Sequence, residues 1–238
     1  MTDLSELRFF QTVEHNCGYL DAKKSSNIFV DPKQQLDAGL YSTLSAFGFR
    51  RSGEHVYKPR CENCNACIPF RVLCESFTPN RSQKRCLKRN EDLYCELKRS
   101  IDEDEYYELY SRYINARHSD GDMYPPSREQ FSDFLSSAWG ITRYLCFRDK
   151  NKKLLSVAVI DLLSDGISAM YSFFEPDEHK RGLGNFNILF QTLWAQQHNL
   201  PHLYLGYLIK GCQKMRYKAQ YRPFQLLIDG HWRSYEQI

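Results

Sequence analysis

Three cysteines at a regular spacing, Cys61, Cys64 and Cys67, lie in the stretch from Arg50 to Val72. Arg50, Arg51, Lys58, Arg60 and Arg71 surround them, against only Glu54 and Glu62. Thiolates two residues apart can close on a zinc ion or an iron–sulfur cluster, and cations beside them can hold an anion. A closed metal site needs a fourth ligand, for which Cys17 is the first candidate and Cys74 the next. No second C-x-x-C completes the set, so packed thiols remain the other reading. Nine cysteines is an odd count, which argues against a disulfide framework.

Two basic segments could hold a polyanion. Arg81, Lys84, Arg85, Lys88 and Arg89 recur at helical spacing and would form one charged stripe, read either as a phosphate contact or as a solvated face. In the tail, Tyr204, Tyr207, Tyr217 and Tyr221 alternate with Lys210, Lys214, Arg216, Lys218 and Arg222. Aromatic rings stack on exposed bases while cations hold phosphates, although a core strand followed by a basic loop has the same pattern. The loop His179–Gly184, HKRGLG, lies between an expected strand and helix, an order that suits a pyrophosphate and resembles acetyltransferases. There is no G-x-S-x-G elbow, P-loop or H-E-x-x-H motif, and no covalent nucleophile is evident.

The elements that position these residues follow from periodicity and capping signals. Asp31-Pro32 is expected to open a helix carrying Leu36, Leu40, Leu44 and Phe47, stopped by Gly48. If the stretch RSQKRCLKR is helical, its five cations share one face; further helices are expected over Asp104–Arg117, after Ser127 with Gln130 as a capping box (Phe131, Phe134, Leu135, Trp139), and around Phe186, Leu189, Phe190 and Leu193. Leu4–Val13 reads as a short strand or an extended lead-in, and strands are expected over Val56–Tyr57, Phe70–Leu73, Leu93–Lys98, Thr142–Phe147, Leu154–Leu163, Ile167–Phe174, His202–Ile209 and Gln225–Ile228.

Composition bounds the class. With 238 residues, 42% hydrophobic and 26% charged, the chain is expected to fold as one large or two small globular domains. Net charge is only +3, but residues 50–100 carry 12 basic and 6 acidic groups while residues 101–150 carry 6 and 10. That asymmetry implies a local polyanion site rather than a basic coat. No long apolar run suggests a membrane helix, and MTDLSELRFF lacks the pattern of a signal peptide, so the expected location is cytoplasmic, with no membrane partner.

Several blocks resemble the aminoacyl-tRNA–protein transferases of the arginyltransferase class, and within them the bacterial aspartate/glutamate leucyltransferase branch. They are GFRRSG (Gly48–Gly53), YKPRCENCNACIPFRV (Tyr57–Val72), NRSQKR (Asn80–Arg85), ELYSRYINARHSDGDMYPPS (Glu108–Ser127), FFEP (Phe173–Pro176) and YLGYLIKGCQKMRYK (Tyr204–Lys218).

The resemblance implies an α+β protein: an N-terminal cysteine-containing domain over residues 1–100 and a C-terminal acetyltransferase-like (GNAT-type) mixed-sheet domain over 101–238. It implies an aminoacyltransferase that moves leucine from leucyl-tRNA to the α-amine of proteins beginning with Asp or Glu, marking them for the N-degron proteolytic machinery. The alternatives are arginyl transfer from arginyl-tRNA, a non-catalytic cysteine-knuckle RNA-binding module, or coenzyme-A acyl transfer suggested by the glycine loop. No cofactor is required, because the ester of an aminoacyl-tRNA is already activated. An iron–sulfur cluster or zinc at Cys17, Cys61, Cys64 and Cys67 is a further expectation. The family's eukaryotic members carry C-G-Y-C, where this chain has Cys17-Gly18-Tyr19-Leu20, and Leu20 breaks that pair.

In this frame Arg50, Arg51 and Arg71 are the candidate forks for the acceptor's acidic side chain. Glu175, just before the glycine loop, is the candidate base, with Tyr171 and Tyr207 as candidates to orient the ester or its oxyanion. Arg81, Lys84, Arg85, Lys88, Lys214, Arg216 and Lys218 are the candidate tRNA contacts.

Overall fold

The stretch Leu154–Leu163 forms a strand buried on both faces, and most of the fold is laid against it. The structure is a computed structural model that describes residues 6–121 and 123–236. Leu4, the expected start of the first strand, lies outside them.

Strands β1 (Phe9–Gln11), β2 (His15–Asn16), β3 (Lys24–Ser25) and β4 (Asn27–Val30) lead into helix α1 (Ala38–Ala46). Strands β5 (Arg50–Ser52), β6 (His55–Pro59) and β7 (Cys67–Leu73), helix α2 (Arg81–Arg89) and strand β8 (Tyr94–Lys98) follow. Then come helices α3 (Asp104–Arg117) and α4 (Arg128–Leu135) and strands β9 (Thr142–Arg148), β10 (Leu154–Leu163) and β11 (Gly166–Phe174). Helix α5 (Leu183–Gln197) and strands β12 (His202–Ile209), β13 (Phe224–Ile228) and β14 (His231–Tyr235) complete the order. Gln213–Gln220, between β12 and β13, is a 3-10 segment.

Eight strands form one sheet in the order β14-β13-β7-β12-β11-β10-β9-β8, and four more form a small sheet, β1-β4-β6-β5. Strands β7 and β8 belong to the large sheet although both lie within residues 1–100, so the core crosses the boundary read from sequence. The fold is α+β with an acetyltransferase-like mixed sheet.

Side-chain alternation along β10 sorts the core. Ala158 and Ile160 face a cluster built with α5 residues Leu183, Phe186 and Leu189 and with Cys86 of α2. Val157 and Val159 face the opposite side, under Tyr106, Leu109, Tyr110 and Ile114 of α3 and Phe131 of α4. Leu163, on that same face, joins Tyr41 and Leu44 of α1 and Val56 of the small sheet.

Helix starts follow local chemistry. Asn80 and Gln83 exchange bonds in a capping box at α2, with Gln83 N–H to Asn80 Oδ1 at 3.0 Å and Asn80 N–H to Gln83 Oε1 at 2.9 Å. Ser127 Oγ accepts from Gln130 N–H at α4 as its sequence signal predicts. At α1 the expectation is corrected. Asp37 is the N-cap, accepting from Leu40 N–H at 2.7 Å, while Asp31 caps only a local turn, accepting from Lys33 N–H. Aspartate followed by proline suits both a helix start and a turn. Helix α4 ends at Leu135, so Trp139 lies beyond it and packs on Tyr41 at a centroid distance of 5.0 Å.

The two sheets are joined through Arg51 and Asp161, whose side chains are both 0% exposed. Arg51 Nε and Nη2 donate to the two carboxylate oxygens at 2.7 and 2.8 Å. The remaining Arg51 donors reach the carbonyls of Gly53, Ser136 and Leu135 and the hydroxyl of Thr142. Removing one partner of such a pair strands the other charge in the interior. Arg51→Ala is expected to lower unfolding free energy by about 3–5 kcal/mol, measured by urea denaturation. A loss below ~1 kcal/mol, the range of a surface pair, would mean that this pair does not hold the sheets together.

Candidate active site

Every pairing in the large sheet is antiparallel except β11 with β12, which α5 connects as a crossover. That parallel pair is short: Gly166, Ile167 and Ser168 face His202, Leu203 and Tyr204, and the strands then separate. Beyond this point β11 pairs with β10, while β12 pairs with β7 after a register shift between Tyr204 and Tyr207. Gly206 sits in that irregularity with φ +73°, a left-handed conformation that costs glycine little. An opening with unpaired backbone groups therefore lies within the sheet.

Arg50, from the edge strand β5 of the small sheet, enters this opening. Its Nη1 donates to Ser168 Oγ at 2.8 Å and to Tyr204 O at 3.3 Å, and its Nη2 donates to Ala169 O. One guanidinium thus satisfies carbonyls of both separated strands. Lys218 enters from the 3-10 segment, donating from Nζ to Tyr207 O at 2.6 Å. It is only 5% exposed, and burial and then the nearby Arg50 push its amine down to about 7. Lys218 is therefore not among the exposed cations expected to meet tRNA phosphates, a role its charge alone suggested. Lys214 and Arg216, in the same segment, are exposed.

The other predicted residues divide. Arg51 has its donors committed inside the protein, so it is not a fork for an incoming acceptor. Arg71 is 8% exposed and also engaged, donating to Gln225 Oε1 and Tyr204 Oη, lying 3.6 Å from Asp165 and stacking on Trp232. Tyr207 donates its hydroxyl proton to Gly48 O at 2.8 Å, which removes it as an oxyanion donor. Tyr171 has a buried hydroxyl with no hydrogen-bond partner, beside the rings of Phe134 and Tyr113, and burial raises its pKa. Glu175 is buried, with Oε2 3.0 Å from Arg112 Nη2. A strand rises about 3.3 Å per residue, which puts ~20 Å between Ala169 and Glu175, so this carboxylate does not share a reaction centre with Arg50.

Tyr204 and Tyr221 are core residues, at 3% and 2% exposure, and only Tyr217 of the tail tyrosines is exposed. The glycine loop is packed rather than open. Cys86 Sγ lies 3.6 Å from Gly182 O, Asn90 Nδ2 donates to Arg181 O, and Arg181 pairs with Asp92. That packing against α2 leaves the coenzyme-A reading without an open pyrophosphate cradle. In contrast, Arg81, Lys84, Arg85 and Lys88 are exposed along α2, whose opposite side buries Gln83 and Cys86.

Cys17, Cys61, Cys64 and Cys67 line one cavity of about 450 Å³ with His15, His55, Tyr57 and Tyr207. Burial first, then the thiols of Cys61, Cys17 and Cys64, push the Cys67 thiol up to about 11. Four thiols on one wall are the donor type of a soft-metal or iron–sulfur site. As placed, no three His, Cys, Asp or Glu side chains among the described residues form a group that could hold one ion. Cys74 lies apart from this cavity, and burial pushes its thiol up to about 12.

A mixed sheet that opens between its one parallel pair of strands defines a fold of the acetyltransferase-like type. The chain belongs to the arginine-tRNA-protein transferase family, whose N-terminal part matches residues 15–85 and whose C-terminal part matches residues 105–228. A relative from Teredinibacter turnerae, called aspartate/glutamate leucyltransferase, is 57% identical over 98% of this chain and 96% of its own length. One of the same description from Saccharophagus degradans is 53% identical over 99% of this chain and 100% of its own. The solved structure of L-PGS from Bacillus licheniformis shares the fold, with a TM-score of 0.52 and 11% identity over 71% of this chain and 58% of that one.

No sequence signal marked Lys218 as buried. The nearest was the absence of any acid between Glu178 and Asp229, which leaves the lysines and arginines there without local carboxylates.

Thiol labelling tests the cysteine geometry. In native protein, iodoacetamide is expected to modify Cys17, Cys61 and Cys64 first, and Cys74 and Cys146 only after unfolding, because burial holds those two near 12. Peptide mass spectrometry reads the order, and early modification of Cys74 or Cys146 would contradict it.

Proposed function

We propose that this protein transfers leucine from leucyl-tRNA to the α-amine of proteins that begin with Asp or Glu. The observation that carries the reading is the 57% identity, over 98% of the chain, to an aspartate/glutamate leucyltransferase. The site agrees with it in chemistry.

The acceptor amine attacks the ester carbonyl of leucyl-tRNA. A tetrahedral oxyanion forms, the C–O bond to the ribose breaks, and an amide bond takes its place. The α-ammonium gives one proton to a weak base before attack and a second to the departing ribose oxygen, and keeps the third as the amide N–H. The ester is activated beforehand, so no covalent enzyme intermediate is needed. An α-amine has a pKa of about 7.7–8.0, so a weak base suffices. Orientation then supplies most of the rate.

The opening between β11 and β12 is the proposed reaction site, with Arg50 anchoring its two walls and offering charge to the acceptor. The exposed stripe of Arg81, Lys84, Arg85 and Lys88, with Lys214 and Arg216, is the proposed contact for tRNA phosphates. Cys17, Cys61, Cys64 and Cys67 line one cavity but as placed form no group for one ion, so they would have to draw together to hold a soft metal or an iron–sulfur cluster, which would tie the segment around Cys17 to the loop before β7. Among the described residues no helix is long and apolar enough to cross a membrane. We place the reaction in the cytoplasm, where aminoacyl-tRNAs are made, upstream of proteolysis that reads the new N-terminal leucine.

Purified protein incubated with an Asp-initiated peptide and labelled leucyl-tRNA is expected to yield labelled peptide. Label from arginyl-tRNA instead would reassign the donor, label from acetyl-CoA would restore the coenzyme-A reading, and none in any tube would leave a binding protein. A variant with Arg81, Lys84, Arg85 and Lys88 changed to Ala is expected to bind tRNA more weakly. The slope of log affinity against log salt should flatten by roughly 0.7–0.9 for each phosphate that the variant no longer neutralises. An unchanged slope would make the stripe a solvated face.

A further inference from the structure

Two cations inside the opening have charge and hydrogen-bonding capacity to spare. A guanidinium carries five N–H groups, and Arg50 directs three bonds to Ser168 Oγ, Tyr204 O and Ala169 O. The ammonium of Lys218 can donate three, of which Tyr207 O takes one. Among the described residues neither forms an ion pair with a carboxylate. A half-buried guanidinium beside a buried ammonium, with no paired acid among the described residues, is an unfavourable arrangement.

The spare donors converge on one point. A Cβ placed on Gly206 would lie 3.7 Å from Arg50 Nε and 3.9 Å from Lys218 Nζ, with no closer neighbour. Gly206 itself is partly exposed, so the space above it is reachable from outside. Any other residue there would put its side chain into the gap and would need a left-handed backbone.

We propose that the gap over Gly206, walled by Arg50 and Lys218, is the subsite that receives the side-chain carboxylate of the acceptor's first residue. This rests on the functional reading above and deepens it, since it makes Lys218 a determinant of acidic-acceptor specificity. The carboxylate takes one hydrogen bond from Arg50 Nε and one from Lys218 Nζ, and supplies the missing negative charge. A neutral Asn or Gln side chain would leave both cations uncompensated, which is how a site built for a charged group rejects an isostere. A tRNA phosphate fits less well, because the polynucleotide backbone needs exposed cations and Lys218 is 5% exposed. The groups facing Lys218 are Arg50, Cys67, Cys212, the ring of Tyr217 and the carbonyl of Tyr207, so among the described residues no internal carboxylate substitutes for the ligand.

The test is calorimetric binding of Asp- and Asn-initiated peptides to the whole protein without tRNA, with transfer kinetics measured separately. Wild type is expected to prefer Asp over Asn. Lys218→Met, similar in length but uncharged, should weaken Asp-peptide binding by ~10- to 100-fold and leave Asn-peptide binding nearly unchanged. In transfer, its KM for the Asp peptide should rise more than kcat falls. Lys218→Arg, which keeps the charge, should recover part of the preference, and a melting curve checks that each variant is folded. Equal Asp and Asn affinities in wild type, or an unchanged preference in folded Lys218→Met, would overturn the subsite. So would a Lys218→Met variant that loses leucyl-tRNA affinity and keeps peptide affinity, since that assigns the gap to a phosphate. Because the binding arm needs no turnover, a failure of leucyl transfer would count against the functional reading without deciding the subsite.

Discussion

The fold depends on one buried ion pair. Arg51 comes from an edge strand of the small sheet and Asp161 from β10, an interior strand of the large one. Both are withdrawn from water, which carries a large desolvation penalty unless every remaining donor and acceptor is met. Here they are met: Asp161 also accepts from Thr142 Oγ1 at 2.9 Å and Tyr41 Oη at 3.3 Å, while Arg51 reaches carbonyls at the end of α4. Five elements therefore agree on one geometry, and a shift of any of them leaves a charge unsatisfied. Arg50 is the preceding residue on the strand. Alternation sends its side chain the other way, so the pairing that locks Arg51 inside also aims Arg50 at the opening in the large sheet.

The opening is itself a consequence of strand pairing. A parallel pair inside an otherwise antiparallel sheet requires a crossover, and α5 supplies it. After Ser168 and Tyr204 each strand follows its antiparallel neighbour, and the irregularity at Gly206 carries β12 away. Separated strands expose carbonyls that must be satisfied, and Arg50 and Lys218 satisfy them with charged donors. If the proposed subsite holds, the structural need for hydrogen bonds and the functional need for positive charge are met by the same two side chains. This arrangement has a cost, since two cations repel in a place of low polarizability. In the proposed subsite, an anionic acceptor would lower that cost on binding.

On the proposed reading, recognition of tRNA and of the acceptor would be divided between different kinds of cation. The stripe on α2 lies on the surface, where charges are mobile, hydrated and responsive to salt. Arg50 and Lys218 are held inside, where a single missing charge matters more and geometry decides which anion fits. Helix α2 also packs against the start of α5 and covers the glycine loop. A fold of the acetyltransferase type thus offers its loop to protein packing, and presents an exposed basic helix in the neighbourhood.

The residues alone determined much of this protein. Strands Leu154–Leu163 and His202–Ile209 and helix Asp104–Arg117 could be read to the residue, because apolar periodicity is local. Shared blocks such as YKPRCENCNACIPFRV pointed to the family before any geometry was known. The start of α1 was misplaced because an Asp-Pro pair serves turns and helices equally. Burial of individual charges was not legible, since Arg50, Arg51, Arg71 and Lys218 are alike in a one-dimensional chain. Only tertiary structure separated an arginine locked to Asp161, an arginine stacked on Trp232, and an arginine and a lysine converging over Gly206. The partners that make this distinction lie more than a hundred residues away for each arginine, as with Asp161, Ser168 and Tyr204. Such pairings are set by which strands become neighbours and not by what stands next in sequence.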